Sequence, residues 1–137
     1  KKMSKSEISD LSRINLTDSK DQIINKIKKA KTDPLSMPST SEELNKRLEA
    51  KNLIGIYASL NNLTLEQSVK EFSGKNFSEF KEILSQTLVD KISPISNEIR
   101  KLLDEKSYLD GILADGSKKA DQIASKKIKK IHDLVGF

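Results

Sequence analysis

Asn76-Phe77-Ser78-Glu79-Phe80-Lys81-Glu82-Ile83-Leu84-Ser85-Gln86-Thr87-Leu88-Val89-Asp90-Lys91-Ile92 places its apolar residues at Phe77, Phe80, Ile83, Leu84, Leu88 and Ile92. Steps of three and four put those side chains on one stripe of a helix, and the strict alternation that marks a half-buried strand is missing. Asn76 with Glu79 begins the helix, with a short amide side chain just ahead of it and an acid in its first turn.

The same periodicity recurs in both directions. Upstream, Ser41 opens a helix with Glu42 and Glu43 in its first turn and Leu44 and Leu48 four apart on its inner face. Leu53, Ile54, Ile56, Tyr57 and Leu60 form the most apolar segment, expected at the centre of the fold and ended by Asn61-Asn62. Thr64 with Gln67 reads as a capping box, Leu65, Val69 and Phe72 follow, and Gly74 is the natural stop. Ser19 with Gln22 reads as another capping box, opening a helix with Ile23, Ile24, Ile27 and Ala30 on one face and Lys26, Lys28, Lys29 and Lys31 on a basic face. The stretch from Thr32 to Ser41 holds Pro34 and Pro38 and is a loop. Lys1 to Thr17 is polar and irregular, with Ile14-Asn15-Leu16 a candidate short strand.

Downstream, Pro94 fits the first turn of a further helix bearing Ile95, Ile99, Leu102 and Leu103. A short helical turn around Tyr108, Leu109, Ile112 and Leu113 leads to Gly116. The last helix starts near Ser117 and is expected to bury Ala120, Ile123, Ala124, Ile128, Ile131 and Leu134. No repeat at a solenoid period is present, so the expected fold class is all-α, a compact helical bundle with an irregular N-terminal segment.

Composition agrees with that class. Of 137 residues, 33% are charged, 35% hydrophobic and only 4% aromatic, which suits thin amphipathic helix contacts better than a β-sandwich or a deep α/β core. The net charge of +5 is a mild excess, but from Lys118 to Lys130 six lysines face the single acid Asp121. Cysteine is absent and His132 is the only histidine, which excludes disulfides, thiolate metal sites and multi-histidine metal sites. No apolar run approaches the ~20 residues needed to span a bilayer. A soluble cytoplasmic protein with no membrane partner and no metal site within the chain is the simplest expectation.

The segment that carries chemistry is Lys2-Met3-Ser4-Lys5-Ser6. Two lysines three apart, among small hydroxyl residues and outside any apolar periodicity, suit a loop that grips a polyphosphate. The ammonium groups act as point charges on flexible stems and the hydroxyls donate hydrogen bonds.

This pentapeptide matches the second signature of class I aminoacyl-tRNA synthetases, and the match continues along the chain. Ile14-Asn15-Leu16-Thr17-Asp18-Ser19, Lys28-Lys29-Ala30-Lys31-Thr32-Asp33 and Asn52-Leu53-Ile54-Gly55-Ile56-Tyr57 resemble bacterial tryptophanyl-tRNA synthetases. So do Glu71-Phe72-Ser73-Gly74, Phe80-Lys81, Pro94-Ile95, Tyr108-Leu109, and the run from Gly116-Ser117-Lys118-Lys119-Ala120 through Ile123-Ala124 to Gly136-Phe137. Tyrosyl enzymes share the fold and a related loop, but the segments after Asp33 are similar to the tryptophan enzymes. There are two departures. Glu7-Ile8 stands where the family commonly has Asp-Pro, which frees the backbone after the loop, and Ser117 stands where alanine is usual.

The resemblance implies the C-terminal portion of a ligase that activates tryptophan with ATP and transfers it to tRNA(Trp). Residues 1–18 would carry the ATP-closing loop at the end of the catalytic domain, and 19–137 the helical tRNA-binding domain. Lys2 and Lys5 are the implied catalytic residues, and Lys2, Met3, Ser4, Lys5 and Ser6 the implied ATP-binding set. Activation expels pyrophosphate, so cations beside the departing phosphates bind the transition state more tightly than the ground state, each worth about 3 kcal/mol. Lys119, Lys126, Lys127 and Lys130, with Lys129 beside them, are candidates for tRNA phosphates, and Tyr57, Asn61 and Asn62 are residue types suited to splayed bases. ATP is the implied co-substrate, with Mg2+ in the whole enzyme, and L-tryptophan would bind in a catalytic domain outside this chain. The whole enzyme is expected to be a homodimer and the isolated chain an inactive monomer with some apolar surface uncovered. Two other classes compete: a stand-alone helical RNA-binding module without catalysis, and a helical protein–protein adaptor.

Overall fold

A computed structural model describes residues 9–136, and the signature segment with Glu7-Ile8 lies outside them. Six α-helices follow a single 3-10 turn at Asp10–Ser12, and no strand occurs among the described residues. They are α1 (Lys20–Lys29), α2 (Ser41–Lys46), α3 (Leu48–Asn61), α4 (Leu65–Phe72), α5 (Phe77–Asp104) and α6 (Lys106–Val135). The chain divides into two units, one extending to Asn97 and the other beginning at Glu98.

The short helices of the first unit start where their caps dictate. At α1, Gln22 N–H donates to Ser19 Oγ at 3.3 Å while Ser19 N–H donates to Gln22 Oε1 at 2.7 Å. Thr64 and Gln67 repeat this reciprocal pair at α4, with distances of 2.8 and 3.2 Å. Ser41 opens α2 as expected, with Thr40 capping it through its hydroxyl, and Asn76 Oδ1 accepts from Glu79 N–H at 2.8 Å at the start of α5. Asn62 ends α3 in the left-handed region at φ 55°, and Gly74, at φ 74°, follows α4. Each device satisfies terminal groups that have no partner inside the helix.

The core of this unit is aromatic at its centre. Phe72 of α4 meets Tyr57 of α3 and Phe80 of α5 edge-on, each pair with ring centroids 4.7 Å apart. Around them Ile23, Ile27, Met37, Leu44, Leu53, Ile54, Val69, Leu84 and Leu88 are buried. The proline loop is fastened by Arg47, which grips Asp33 through Nε at 2.9 Å and Nη2 at 2.5 Å and donates through Nη1 to Ser36 O at 2.6 Å. Lys81 Nζ donates to Ala30 O at 2.6 Å and Lys28 O at 3.1 Å, so α5 satisfies carbonyls at the end of α1, where a cation is favoured.

Several sequence expectations need correction. Ile14-Asn15-Leu16 forms no strand, because Asn15 N–H donates to Asp18 Oδ2 and Asp18 N–H to Asn15 O, closing a local turn in place of a ladder. Leu48 is 72% exposed, since α2 stops at Lys46 and α3 starts afresh at Leu48, breaking the register that Leu44 began. Pro94 lies inside α5 and starts no helix. Its missing N–H costs one rung, but buried Ile92 and Ser96 hold the helix on both sides, and Ser96 Oγ donates to Leu16 O.

In the second unit α6 is a single helix that runs through Gly111 and Gly116 and ends at Gly136, whose N–H donates to His132 O at 2.9 Å. It buries no residue: Ile123, Ile128, Ile131 and Leu134 are 69, 52, 55 and 85% exposed. Ala120 and Ala124 are exposed as well, so the stripe read as core has the correct period but is uncovered.

Candidate functional site

Two regions bear on function: the segment that follows the signature pentapeptide, and the basic face of α6. The first is built around Lys26. Its Nζ reaches Asp10 Oδ2 at 2.5 Å and Asp18 Oδ2 at 2.6 Å, with Lys26 only 6% and Asp18 only 5% exposed. Asn15 Nδ2 bridges the two carboxylates, at 3.1 Å to Asp10 Oδ1 and 3.2 Å to Asp18 Oδ1, and Arg13 Nε meets Asp10 Oδ1 at 2.9 Å.

Charge and hydrogen bonding set these groups against burial. The Lys26 hydrogen bond leads in holding the Asp10 carboxyl below its usual value, with Asn15 next. At Asp18 burial is the largest influence and raises the carboxyl, but Lys26 and Asn15 together outweigh it and leave it lowered. At Lys26 burial likewise opposes the charge, and the two aspartates overcome it, so the ammonium is held above its usual value. All three groups therefore stay ionised near neutral pH.

The sequence pattern places Lys26 on the basic face of α1 with Lys28, Lys29 and Lys31, and its burial in the structure is a further correction. Ile23, Lys26, Ile27 and Ala30 are spaced by three, one and three, which puts Lys26 on the apolar side. The spacing held the signal, and the two aspartates nearby in sequence are what make a lysine tolerable there.

On α6, Lys119, Lys126, Lys127, Lys129 and Lys130 are all exposed. Lys126, Lys127 and Lys130 line one shallow groove with Gln122 and Ile123, of about 320 Å³, and Lys119 lies outside it. Lysines that line one groove are a residue set suited to successive phosphates, whose contacts position a nucleic acid without reading its sequence. Tyr57 is unsuited to stacking on a base, since it is 8% exposed and its hydroxyl donates to Glu71 Oε1 at 2.8 Å. Asn61 Nδ2 donates to Tyr57 O at 3.0 Å, which leaves Asn62 the most accessible of that trio. Lys2, Met3, Ser4, Lys5 and Ser6 lie outside the described residues. Among the described residues no group of three or more His, Cys, Asp or Glu is placed to hold a metal ion, and no helix is long and apolar enough to cross a membrane.

Comparison with known proteins places most of the chain in a family. The model of the class I tRNA synthetases (W and Y) matches residues 1–103. The chain is 50% identical over its whole length to the tryptophan–tRNA ligase of Agrobacterium fabrum and 47% identical to that of Mesorhizobium japonicum, covering 39% of each. It is 44% identical to the tryptophan–tRNA ligase of Rickettsia conorii, covering 41% of it. The chain thus spans about two fifths of the length of the curated relatives it matches. With a signature pentapeptide, a helical body and a family model matched over most of its length, the chain belongs to the class I tRNA synthetases that serve tryptophan and tyrosine.

Proposed function

We propose that this chain is part of a tryptophan–tRNA ligase, supplying the ATP-closing loop and the helical domain that holds tRNA(Trp). The observation that carries the reading is identity of 44–50% to tryptophan–tRNA ligases along essentially every residue of the chain. In this reading residues 1–18 end the catalytic domain and 19–137 bind tRNA. Lys2 and Lys5 neutralise the pyrophosphate as it leaves, Ser4 and Ser6 orient the phosphates, and Met3 packs the loop. Mg2+ accompanies the nucleotide, and L-tryptophan binds in a part of the enzyme outside this chain. The working enzyme is a cytoplasmic homodimer. The uncovered apolar stripe of α6 supports a larger parent, because exposed stripes of this kind mark surfaces that are covered in the working protein.

The test is tryptophan-dependent exchange of pyrophosphate into ATP. The complete enzyme containing this chain is expected to catalyse it, and Lys5→Ala to lower kcat by about a hundredfold or more. The 137-residue chain alone is expected to show no exchange. Exchange that depends on tyrosine in place of tryptophan would overturn the reading.

A further inference from the structure

Between α1 and α5 lies a cavity of about 510 Å³, walled entirely by residues of the first unit. Its volume is in the range of natural ligand sites. From α5 it takes Ser78, Glu82 and Gln86, each four residues from the next and so aligned along one face, with Lys81 and Ser85 in the row beside them. From α1 it takes Ile24 and Lys28, also four apart.

The fold occupies some of the polar groups on these walls and leaves the others open. Gln86 Nε2 donates to Asp90 Oδ1 at 2.7 Å, which leaves Gln86 Oε1 as an acceptor. Glu82 is a second acceptor one turn away. Among the described residues it forms no ion pair, although Lys28 and Lys81 line the same cavity. Lys81 Nζ gives two of its three N–H groups to Ala30 O and Lys28 O, which fixes the ammonium and leaves the third for a ligand. Ser85 is only 5% exposed and its Oγ has no hydrogen-bond partner, an uncommon state for a buried hydroxyl.

These groups define the chemistry of an occupant. Two neighbouring acceptors, one of them a carboxylate, disfavour a bare phosphate and match N–H donors. The ammonium groups of Lys28 and Lys81 and the hydroxyls of Ser78 and Ser85 match oxygen acceptors. Ile24 and the lysine stems supply an apolar surface for a flat ring. A nucleobase that carries an amino group and a carbonyl on one edge meets all three conditions. Cytosine and guanine do so, whereas uracil lacks the amino group and adenine lacks the carbonyl.

We propose that the groove between α1 and α5 holds an unpaired cytosine or guanine of an RNA, with Glu82 and Gln86 accepting from its N–H groups and Lys28 and Lys81 donating to its carbonyl oxygen. The Watson–Crick edge of a base is open to such contacts where the strand is single. The inference rests on the reading of residues 19–137 as the tRNA-binding domain.

The experiment measures filter binding of the complete enzyme to a uridine hexanucleotide and to versions with one central cytidine, guanosine or adenosine, so that the number of phosphates stays constant. Wild type is expected to bind the cytidine or the guanosine version about tenfold more tightly than the uridine one, with adenosine between them. Glu82 and Gln86 are exposed on α5, so Glu82→Gln and Gln86→Ala leave the core untouched. Glu82→Gln is expected to abolish the preference while affinity for the uridine hexamer holds or rises, because a carboxylate that repels phosphates is gone. Gln86→Ala is expected to reduce the preference by about threefold. Binding of tRNA(Trp) to wild type, measured alongside, reports on the domain itself. Equal affinity for all four hexamers, or a preference that survives both substitutions, overturns the proposal while bound tRNA(Trp) upholds the domain reading. If wild type retains no tRNA(Trp), the domain reading falls and takes the proposal with it.

Discussion

The hydroxyl of Tyr57 on α3 donates to Glu71 Oε1 on α4 at 2.8 Å, directly beside the edge-on contact between the Tyr57 and Phe72 rings. One side chain thus joins two helices by packing and by a hydrogen bond. Burial, and after it the neighbouring carboxylate, push the Tyr57 phenol up to about 12. The folded state therefore keeps the phenolic proton after the unfolded state has lost it. The stability this represents is fully present below pH 10, the ordinary tyrosine value, and is lost as pH rises from there through about 12. Tyr57→Phe should cost about 1 kcal/mol at neutral pH, the worth of one hydrogen bond whose acceptor returns to water. It should also flatten the alkaline decline, as measured by urea midpoints at several pH values; a variant whose midpoint falls as steeply as wild type would remove Tyr57 as the cause.

The Lys26 cluster makes the opposite prediction at the acid end. Asp10 and Asp18 are held below the ordinary carboxylate value of 3.8, so their contribution is present above that value and is lost as pH falls through their lowered values. Lys26→Met leaves Asp18 buried without its ammonium partner and should cost about 3 kcal/mol at neutral pH, with much of the deficit disappearing in acid as the carboxylates protonate. Urea midpoints of wild type and variant that stay parallel down to pH 2 would refute this.

How much of this was legible in the sequence depends on how local the cause is. Both capping boxes, at Ser19 and Thr64, and the stops at Asn62 and Gly74 follow from residues within a few positions of the event, and they were readable. The continuity of α5 through Pro94 was not, because Ser96 is held by Leu16, eighty residues away. Lys26 escapes the sequence for a related reason: its spacing puts it on the buried face, but a buried ammonium needs partners, and only the fold brings Asp10 and Asp18 to it. The α6 stripe was read with the right period and the wrong environment, since periodicity fixes a face and says nothing of what covers it. The signature pentapeptide was legible as chemistry alone.

Leu44 and Leu48 test the register break between α2 and α3. Leu44 is 2% exposed and Leu48 72% exposed, although a single helix would place them on one face. Leu44→Ala should cost about 3 kcal/mol and Leu48→Ala less than about 0.5 kcal/mol. Equal losses in thermal or urea unfolding would mean that both residues face the core and that the break at Arg47 is absent in solution.

The basic groove of α6 makes a prediction about tRNA. Each lysine that neutralises a phosphate releases a bound counterion, so the logarithm of the affinity falls with the logarithm of salt in proportion to the number of contacts. Lys126, Lys127 and Lys130 share one groove and Lys119 does not. If the groove holds the tRNA backbone, replacing those three with glutamine in the complete enzyme should reduce the salt slope by about 2, at 0.7 to 0.9 per contact. Lys119→Gln should change it by less than one such step. Filter binding of tRNA(Trp) across a series of salt concentrations gives both slopes. A triple variant with the wild-type slope would show that these lysines only solvate the helix, and a larger change from Lys119 alone would move the contact toward the start of the basic stretch. Because phosphate contacts carry no sequence information, the triple substitution should weaken cognate and non-cognate tRNA alike.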